Sequence, residues 1–399
     1  MDCVYGTKSI DNENNIFCSI LKTRIKQQKQ TKKKQMTMNH IHRTVCYILD
    51  LDITVFLYLL QVISLARDHL KIVSEERTAY RTICKTTRQN LKDQFEVDGT
   101  LQLPAPGSMI PPMSTEVKMH YSFDMAQQVH YPSDPFQPGP VYFLTPRKCA
   151  IFGVCCEAIP RQVTYLIDES FNVGKGANSI ISMIHHFFAN HGLGETSVHL
   201  HADNCCGQNK NRYMMGYLMW RVLTGLHREI KISFLPVGHT KFAPDWCFGL
   251  AKQTFRRTKV GSLDDIANVI STSSFVNVPQ LVGTLEGDYF VPTYNWSEFF
   301  EEHTKKTALK GITQMQHFHF KVTSPGTVFV KSSNSGNERQ IVLVKDSSWR
   351  PSPHCLPSRV VPDELSTDRQ YYLFEKIRDF CPDYAKDLVC PQPTMARDS

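Results

Sequence analysis

The stretch TSVHLHADNCCGQNKNRYMMGYLMW, residues 196–220, decides the fold of this 399-residue chain. Its first eight residues alternate polar and apolar side chains, which predicts a β-strand over 196–203. Apolar residues then recur at helical spacing, which predicts an α-helix over 209–225. Asp203 therefore stands where a strand ends. In open α/β sheets, ligands bind beyond the carboxyl ends of the strands, so this position is a candidate functional site.

The same alternation of strands and helices extends outward from this stretch. We expect strands over 117–129, 140–145, 151–169 (with a hairpin at 160–161) and 229–237, and helices over 177–192 and 243–258. The resulting order, β-β-β-α-β-α-β-α, predicts an α/β three-layer fold with a mixed five-stranded sheet. The three opening strands should form an antiparallel meander because no crossover-length segment separates them. The fourth strand should run parallel to the first.

Composition shifts divide the chain into four predicted parts. These are a disordered basic arm (1–40), a helical segment (41–100), the α/β domain (116–260) and a β-rich extension (261–399). We expect a C-terminal helix over 365–385 within the extension. Within the helical segment, residues 53–66 are strongly apolar. A membrane span of about 17–25 residues would have to bury Asp50 and Asp52. We therefore expect a core helix and no membrane contact.

Charge and cysteine usage limit the function classes. Residues 22–34 hold seven Lys and Arg and no acid, which equals the whole net charge of +7. The rest of the chain is formally neutral, so the run is either a solvated tail or an arm for nuclear targeting or nucleic-acid binding. Thirteen cysteines without a C-x-x-C motif indicate buried thiols in a reducing compartment. We expect no signal peptide, and a nuclear location with a cytoplasmic one as the alternative.

Three acids occupy the positions where a sheet of this order could bring them together. Asp124 lies in the first strand, Asp203 ends the fourth, and Asp245 lies in the first turn of the helix over 243–258. Three carboxylates converge cheaply only when a cation neutralises them. Hard oxygen ligands suit Mg²⁺ or Mn²⁺, so we expect a divalent metal site and no small-molecule cofactor.

Each acid also has an ordinary structural explanation. An Asp at a strand end is commonly a turn former or a helix cap, and Asp245 follows Pro244 at a helix start, where an acid favours the dipole. Asp168 and Glu169, at the end of the third predicted strand, add two further candidates. Asp168 could equally be the acid at the sheet end, with Glu169 as a helix cap.

The element order and the acids resemble the ribonuclease-H-like fold of DDE and DDD transposases, integrases and RNase H over about residues 116–260. The run Asp203-Asn204-Cys205-Cys206-Gly207 is similar to the second-aspartate motif of integrases, and Asp245 follows at a spacing common in that group. The resemblance implies that Asp124, Asp203 and Asp245 are catalytic metal ligands. It also implies that Glu169 corresponds to the additional glutamate of RNase H.

A second resemblance covers roughly residues 65–390. The strings FDMAQ, DNCCGQNKN, GHTKFAPDWCFG, HFHFKV and SPGTVFV resemble a family of uncharacterised eukaryotic proteins with a C-terminal domain of unknown function. Members often occur in many near-copies, as mobile-element genes do. This resemblance implies mobile-element ancestry and supplies no demonstrated activity.

Two other patterns carry candidate binding residues. His199, His201 and Asp203 share one face of a strand, and H-x-H-x-D also opens zinc sites, so a zinc hydrolase is an alternative. For nucleic acid, the candidates are Asn209 and Lys210 at a helix start and His239 and Lys241 before the next helix. The ordinary interpretation of Asn209 and Lys210 is a capped helix start with a solvated lysine.

Two function hypotheses follow. The first is an enzyme that cleaves or transfers phosphodiester bonds of DNA with two divalent metals. The second is a catalytically inactive, domesticated nucleic-acid or chromatin binding protein that keeps the fold. DNA is the expected partner in both, and the oligomeric state stays open.

The basic arm gives a prediction that is independent of the metal. Deleting residues 22–34 should weaken DNA binding and flatten its salt dependence, because seven cations that displace counterions are lost. Titrations of labelled DNA at several salt concentrations measure the slope for both chains. An unchanged slope would show that the arm makes no phosphate contact.

Overall fold

A computed structural model describes residues 38–105, 107–136, 139–159, 161–236, 238–239, 241–393 and 395–397, with side chains from residue 53 onward. The expected basic arm lies outside the described residues, apart from its last three. The chain divides into two units, Met1–His69 and Leu70–Ser399. The described part of the first unit is helical, and every strand among the described residues belongs to the second unit.

Thirteen strands and eight α-helices form the described fold. The strands are β1 (Glu96–Val97), β2 (Thr100–Leu101), β3 (Thr115–Tyr131), β4 (Arg147–Cys156), β5 (Arg161–Asp168), β6 (Glu195–Ala202), β7 (Glu229–Phe234), β8 (Asn277–Leu281), β9 (Thr293–Tyr294), β10 (His317–Lys321), β11 (Thr327–Lys331), β12 (Arg339–Val342) and β13 (Arg359–Val360). The helices are α1 (Met38–Phe95), α2 (Ala177–Asn190), α3 (Arg212–Leu223), α4 (Ala243–Phe255), α5 (Leu263–Ser273), α6 (Trp296–His303), α7 (Thr367–Tyr372) and α8 (Lys386–Val389).

One mixed sheet of nine strands organises the second unit. Its order is β12-β11-β10-β7-β6-β3-β4-β5-β8. The hairpin-connected strands β3, β4 and β5 are antiparallel, whereas β6 runs parallel to β3 and β7 runs parallel to β6. The prediction of one mixed sheet, with the strand near 196–203 parallel to the first, is therefore confirmed. The expected five strands become nine because β8 joins one edge and β10–β12 join the other.

Helices cover both faces of this sheet, which gives the three layers that the sequence predicts. On one face, Phe152 of β4 packs with apolar residues of α2 and α3, among them Ile184 and Leu218. On the other face, the neighbouring residue Ile151 packs with Ala251 of α4 and Ile266 of α5. Adjacent residues of a strand point to opposite faces, so β4 contributes to both cores and reads as a nearly continuous apolar run.

Two parts of the predicted element order are wrong. Residues 140–145 were expected to form a strand, but Gly139–Phe143 is a 3-10 helix whose aromatic side chains Tyr142 and Phe143 are exposed. Pro140 has no backbone N–H to donate to a sheet and suits the first turn of a helix. The helix α5 was missed altogether, although Ser262 and Asp265 cap it reciprocally.

The apolar segment near residue 53 also differs from expectation. Of the described residues, one helical stretch, Ile53–Phe95, is long and apolar enough to cross a membrane by length and composition. The expected core helix is wrong for its first part, because Ile53, Phe56 and Ile63 are each more than half exposed.

A buried ion pair fixes the end of β5. The Arg147 guanidinium donates to both carboxylate oxygens of Asp168, at 2.9 and 2.6 Å, and to the Val389 carbonyl at 3.0 Å. Burial raises the pKa of Asp168, but hydrogen bonds and charge from Arg147 outweigh it and lower that pKa overall. The pair thus joins the sheet to helix α8.

Replacing Arg147 with methionine leaves the Asp168 carboxylate buried without its cation. We expect Arg147→Met to lower the free energy of unfolding by about 3–5 kcal/mol, measured by urea denaturation. Arg228→Met, which removes the exposed pair with Glu116, is the control and should cost about 0–1 kcal/mol. Equal losses in the two variants would contradict the structural role of the buried pair.

Candidate functional site

The pairing of β3 with β6 sets Asp124 beside Asp203. The last residues paired in this parallel ladder are Ser122 and His201. Asp124 and Asp203 each lie two residues further along, at the same level and on the same face of the sheet. The pairing therefore places two carboxylates next to each other at the end of the ladder.

The loop after β6 holds Asp203 in position. Asp203 Oδ1 accepts hydrogen bonds from the backbone N–H of Cys205 at 3.1 Å and from Nδ2 of Asn209 at 2.6 Å. Asn211 caps α3 by accepting from the N–H groups of Tyr213 and Met214. Because the loop is tied to both the strand end and the helix start, the carboxylate has a defined direction.

Helix α4 brings the third acid. Asp245 lies in its first turn, where its Oδ2 accepts from the backbone N–H of Phe242 at 3.1 Å. Gly153 is paired with Asp124 across the β3–β4 ladder, and a Cβ at residue 153 would lie 2.7 Å from the ring of Phe248. The missing side chain at Gly153 thus lets α4 approach the sheet at the level of Asp124.

The electrostatics show that the other two carboxylates act on Asp124. Burial, together with the nearby charges of Asp203 and Asp245, raises the pKa of Asp124 to about 7. A backbone hydrogen bond from Met125 opposes this rise without cancelling it. Asp124 therefore carries a proton for part of the time at neutral pH, which is the strain expected of acids that lack a neighbouring cation.

The chemical type of the donors, carboxylate and amide oxygens, is the type that hard divalent cations prefer. Each of the three carboxylates uses one oxygen for local hydrogen bonds, and the other accepts none from the described residues. Oδ1 of Asn209 is also buried there without a partner among these residues. Within the described ranges, however, no group of three or more His, Cys, Asp or Glu side chains is arranged so that it could hold a metal ion. The three carboxylates are therefore not a preformed metal site in this structure.

Glu169 and Asp168 have other partners. The Glu169 carboxylate accepts from Nε of Arg369 at 3.0 Å and from a terminal nitrogen of the same guanidinium at 3.2 Å. Asp168 forms an ion pair with Arg147. Asp168 is paired with Cys149 of β4, which lies four residues from Gly153, the partner of Asp124. The structure therefore does not bring Glu169 into contact with the three acids.

The four candidate nucleic-acid contacts differ in exposure. Asn209 and Lys210 are each 1% exposed, so they present no surface to a nucleic acid. Lys210 Nζ donates to Asn204 Oδ1 at 2.7 Å and to the Thr313 carbonyl at 3.1 Å, which makes it a structural lysine rather than a phosphate-binding or solvated one. His239 is half-buried and its carbonyl accepts from Arg77, whereas Lys241 is exposed.

The histidines of the H-x-H-x-D run are already hydrogen-bonded. His201 shares a hydrogen bond of 2.8 Å with His120, and His199 shares one of 2.8 Å with Ser233. Burial lowers the pKa of both His120 and His201, so they are neutral near pH 7. Since these ring nitrogens bond to one another and to a hydroxyl, the geometry gives the zinc-hydrolase alternative no ligand set among the described residues.

Sequence reasoning missed residues that surround the acids. Gln127 and Gln128 lie at a β-bulge, where the β3–β4 register shifts between Ala126 and Val129. A doubled polar residue in an otherwise alternating strand is the signal that could have revealed the bulge. Helix α5 forms part of a cavity of about 300 Å³ beside Asp124 and Asp245. The capping pair and the apolar spacing at the start of α5 could have predicted that helix.

Comparison with known families adds one finding. The model of a family described as a domain of unknown function (DUF7869) matches residues 144–338, just under half of the chain. Comparison with curated proteins and with solved structures gave no match. The chain is thus similar over this range to an uncharacterised family. The range includes Asp203 and Asp245 and begins after Asp124.

The pKa of Asp124 predicts a pH-dependent effect of its removal. Because the folded pKa lies above the unfolded value, ionising Asp124 costs stability progressively from about pH 4 to about pH 7. Asp124→Asn should therefore raise the free energy of unfolding by roughly 2 kcal/mol more at about pH 8 than at about pH 5.

Urea denaturation at the two pH values measures this difference. Asp264→Asn removes an exposed acid on α5 and serves as the control, for which we expect little change with pH. If Asp124→Asn changed stability equally at both pH values, Asp124 would not be ionising against its neighbours.

Proposed function

We propose that the protein is derived from a transposase or integrase. In this proposal a ribonuclease-H-like domain cleaves or transfers phosphodiester bonds of DNA with Mg²⁺ or Mn²⁺. The observation that carries the proposal is the approach of three acids at the end of the β3–β6 ladder. Asp124 lies within β3 at the level where its pairing with β6 ends, and Asp203 directly follows β6. The charges of Asp203 and Asp245 contribute to the raised pKa of Asp124.

The topology supports the ribonuclease-H-like assignment. Three antiparallel strands open the domain, the next strand returns parallel beside the first, and helices lie on both faces of the sheet. These are the features that the resemblance implied. The acids also fall on the elements where the resemblance placed them, namely β3, the end of β6 and the first turn of α4.

Each side chain has a distinct task in this proposal. Asp203, oriented by Asn209, and Asp124 present one uncommitted oxygen each where the β3–β6 ladder ends, and Asp245 does so from the start of α4. When bound, the divalent cations activate water or a 3′-hydroxyl and stabilise the leaving oxygen. Asp124 must lose its proton to join them, so metal binding should strengthen as the pH rises through about 7.

A second candidate is a nucleic-acid binding protein without catalytic activity. It is favoured by the absence of a closed ligand group among the described residues. DNA binding that survives EDTA, together with no cleavage in Mg²⁺ or Mn²⁺, would support this candidate over the first.

Metal-dependent stability tests the proposal. Mn²⁺ at a concentration about 100 times its dissociation constant should stabilise the wild-type fold by about 2.7 kcal/mol. Asp203→Asn removes one charge with little change of shape, and it should abolish both this stabilisation and cleavage of DNA. Thermal melts with and without Mn²⁺, together with a DNA nicking assay, measure the two effects.

Two further variants complete this experiment. Asp288→Asn replaces an exposed acid away from the site and should keep the full Mn²⁺ shift. Glu169→Gln should also keep it, because its carboxylate is paired with Arg369 rather than with the three acids. Equal Mn²⁺ shifts in wild type and Asp203→Asn would exclude Asp203 as a metal ligand.

A further inference from the structure

An apolar cavity of about 300 Å³ adjoins the acids. Asp124 and Asp245 lie at its wall, and most of the remaining lining is apolar. The apolar walls come from β3, β4, α4 and α5, with Met125, Ile151, Phe248, Phe255 and Ile270 among their side chains. Two carboxylates at the wall disfavour an anionic occupant, whereas the walls favour a flat or apolar neutral group.

A wider groove continues from this cavity. The groove, of about 780 Å³, shares with it Gln127, Gln128, Val129, Lys252 and Phe255. Beyond these shared residues it is lined by two further cations, Arg256 and Lys259, and by the exposed ring of Tyr142. Two acids, Asp134 and Asp379, also line it, and Lys259 lies 3.8 Å from the Asp134 carboxylate, so with Lys252 the groove has an excess of one cation. Cations beside an exposed aromatic ring suit a nucleic-acid strand, whose phosphates and bases they contact respectively.

The β-bulge places two amides at the junction of cavity and groove. Gln127 Oε1 accepts from Lys252 Nζ at 3.0 Å, whereas the Gln128 amide has no hydrogen-bond partner among the described residues. Bulges commonly re-aim side chains beside active sites. A free glutamine amide can both donate to and accept from the edge of a base.

We propose that the cavity binds a single nucleobase, taken out of its stack, from a strand whose backbone follows the groove. This proposal deepens the proposed function, because it specifies how the substrate strand lies at the acids. Insertion of the base holds the adjoining phosphodiester close to Asp124 and Asp245. The apolar walls then pack against the two faces of the base, and the Gln128 amide hydrogen-bonds to its edge.

Gly249 offers a way to fill the cavity without disturbing its walls. It lies on α4 at the cavity, and a Cβ at residue 249 would have no atom within 4 Å. Gly249→Phe should therefore occupy the space of the base. The matched control is Gly176→Phe, at an exposed glycine before α2 that also has open space around a Cβ.

The test uses single-stranded DNA oligonucleotides that carry 2-aminopurine at successive positions, in EDTA. Because 2-aminopurine fluorescence responds to unstacking, wild type should change it sharply at one position. Gly249→Phe should remove this position-specific change and weaken binding about 10- to 100-fold, while Gly176→Phe should preserve both.

The outcomes separate this proposal from the proposed function. A uniform fluorescence response at every position in wild type would overturn the base pocket, whichever variants fold. Wild-type affinity and response in a folded Gly249→Phe would also overturn it. Because EDTA removes the metal, loss of the Mn²⁺ effect or of cleavage in the earlier experiments leaves this test unaffected.

Discussion

Backbone hydrogen bonding between β3 and β6 determines which side chains of these two strands share a level and a face. The register that pairs Ser122 with His201 carries Asp124 and Asp203 to the same height at the end of the ladder. A shift of one residue in either strand would turn that strand's acid to the opposite face, into the core that packs on α2 and α3. The chemistry of the site therefore depends on a backbone pairing more than on any side-chain contact.

The sheet face that carries the acids has two parts, one with polar side chains that bond within the protein and one with the acids. His120 and His201, which precede Asp124 and Asp203 along β3 and β6, bond to each other. Tyr80 and Cys84 of α1 pack against His120. Further along, the sheet is left to Asp124 and Asp203, and α4 approaches because Gly153 has no side chain. The polar residues under α1 are thus satisfied within the protein, whereas the acids keep uncommitted oxygens.

Much of this arrangement could be predicted from the sequence, and the physical reasons are specific. The alternation in β6 and the apolar periodicity of α2 and α3 predicted the sheet, the parallel return and one helix layer, and the predicted helix over 243–258 supplied part of the other layer. The contacts of Lys210 and Glu169 could not be predicted, because their partners are distant in sequence. Lys210 donates to the Thr313 carbonyl, and Glu169 accepts from Arg369. Local patterns carry no information about such contacts. Helix α5 and the bulge at Gln127 and Gln128 had local signals. The helix was missed because residues 261–399 were expected to be β-rich, and the bulge because residues 117–129 were expected to be one regular strand.

The central claim is that Asp124, Asp203 and Asp245 together bind a divalent cation. Anomalous diffraction from crystals grown with Mn²⁺ tests it most directly, because the manganese position is read without reference to activity. The account predicts an anomalous peak within bonding distance of the Asp124 and Asp203 carboxylates, with Asp245 turned toward it. Saturating Mn²⁺ with no peak at these carboxylates, or a peak at His120 and His201 instead, would contradict it.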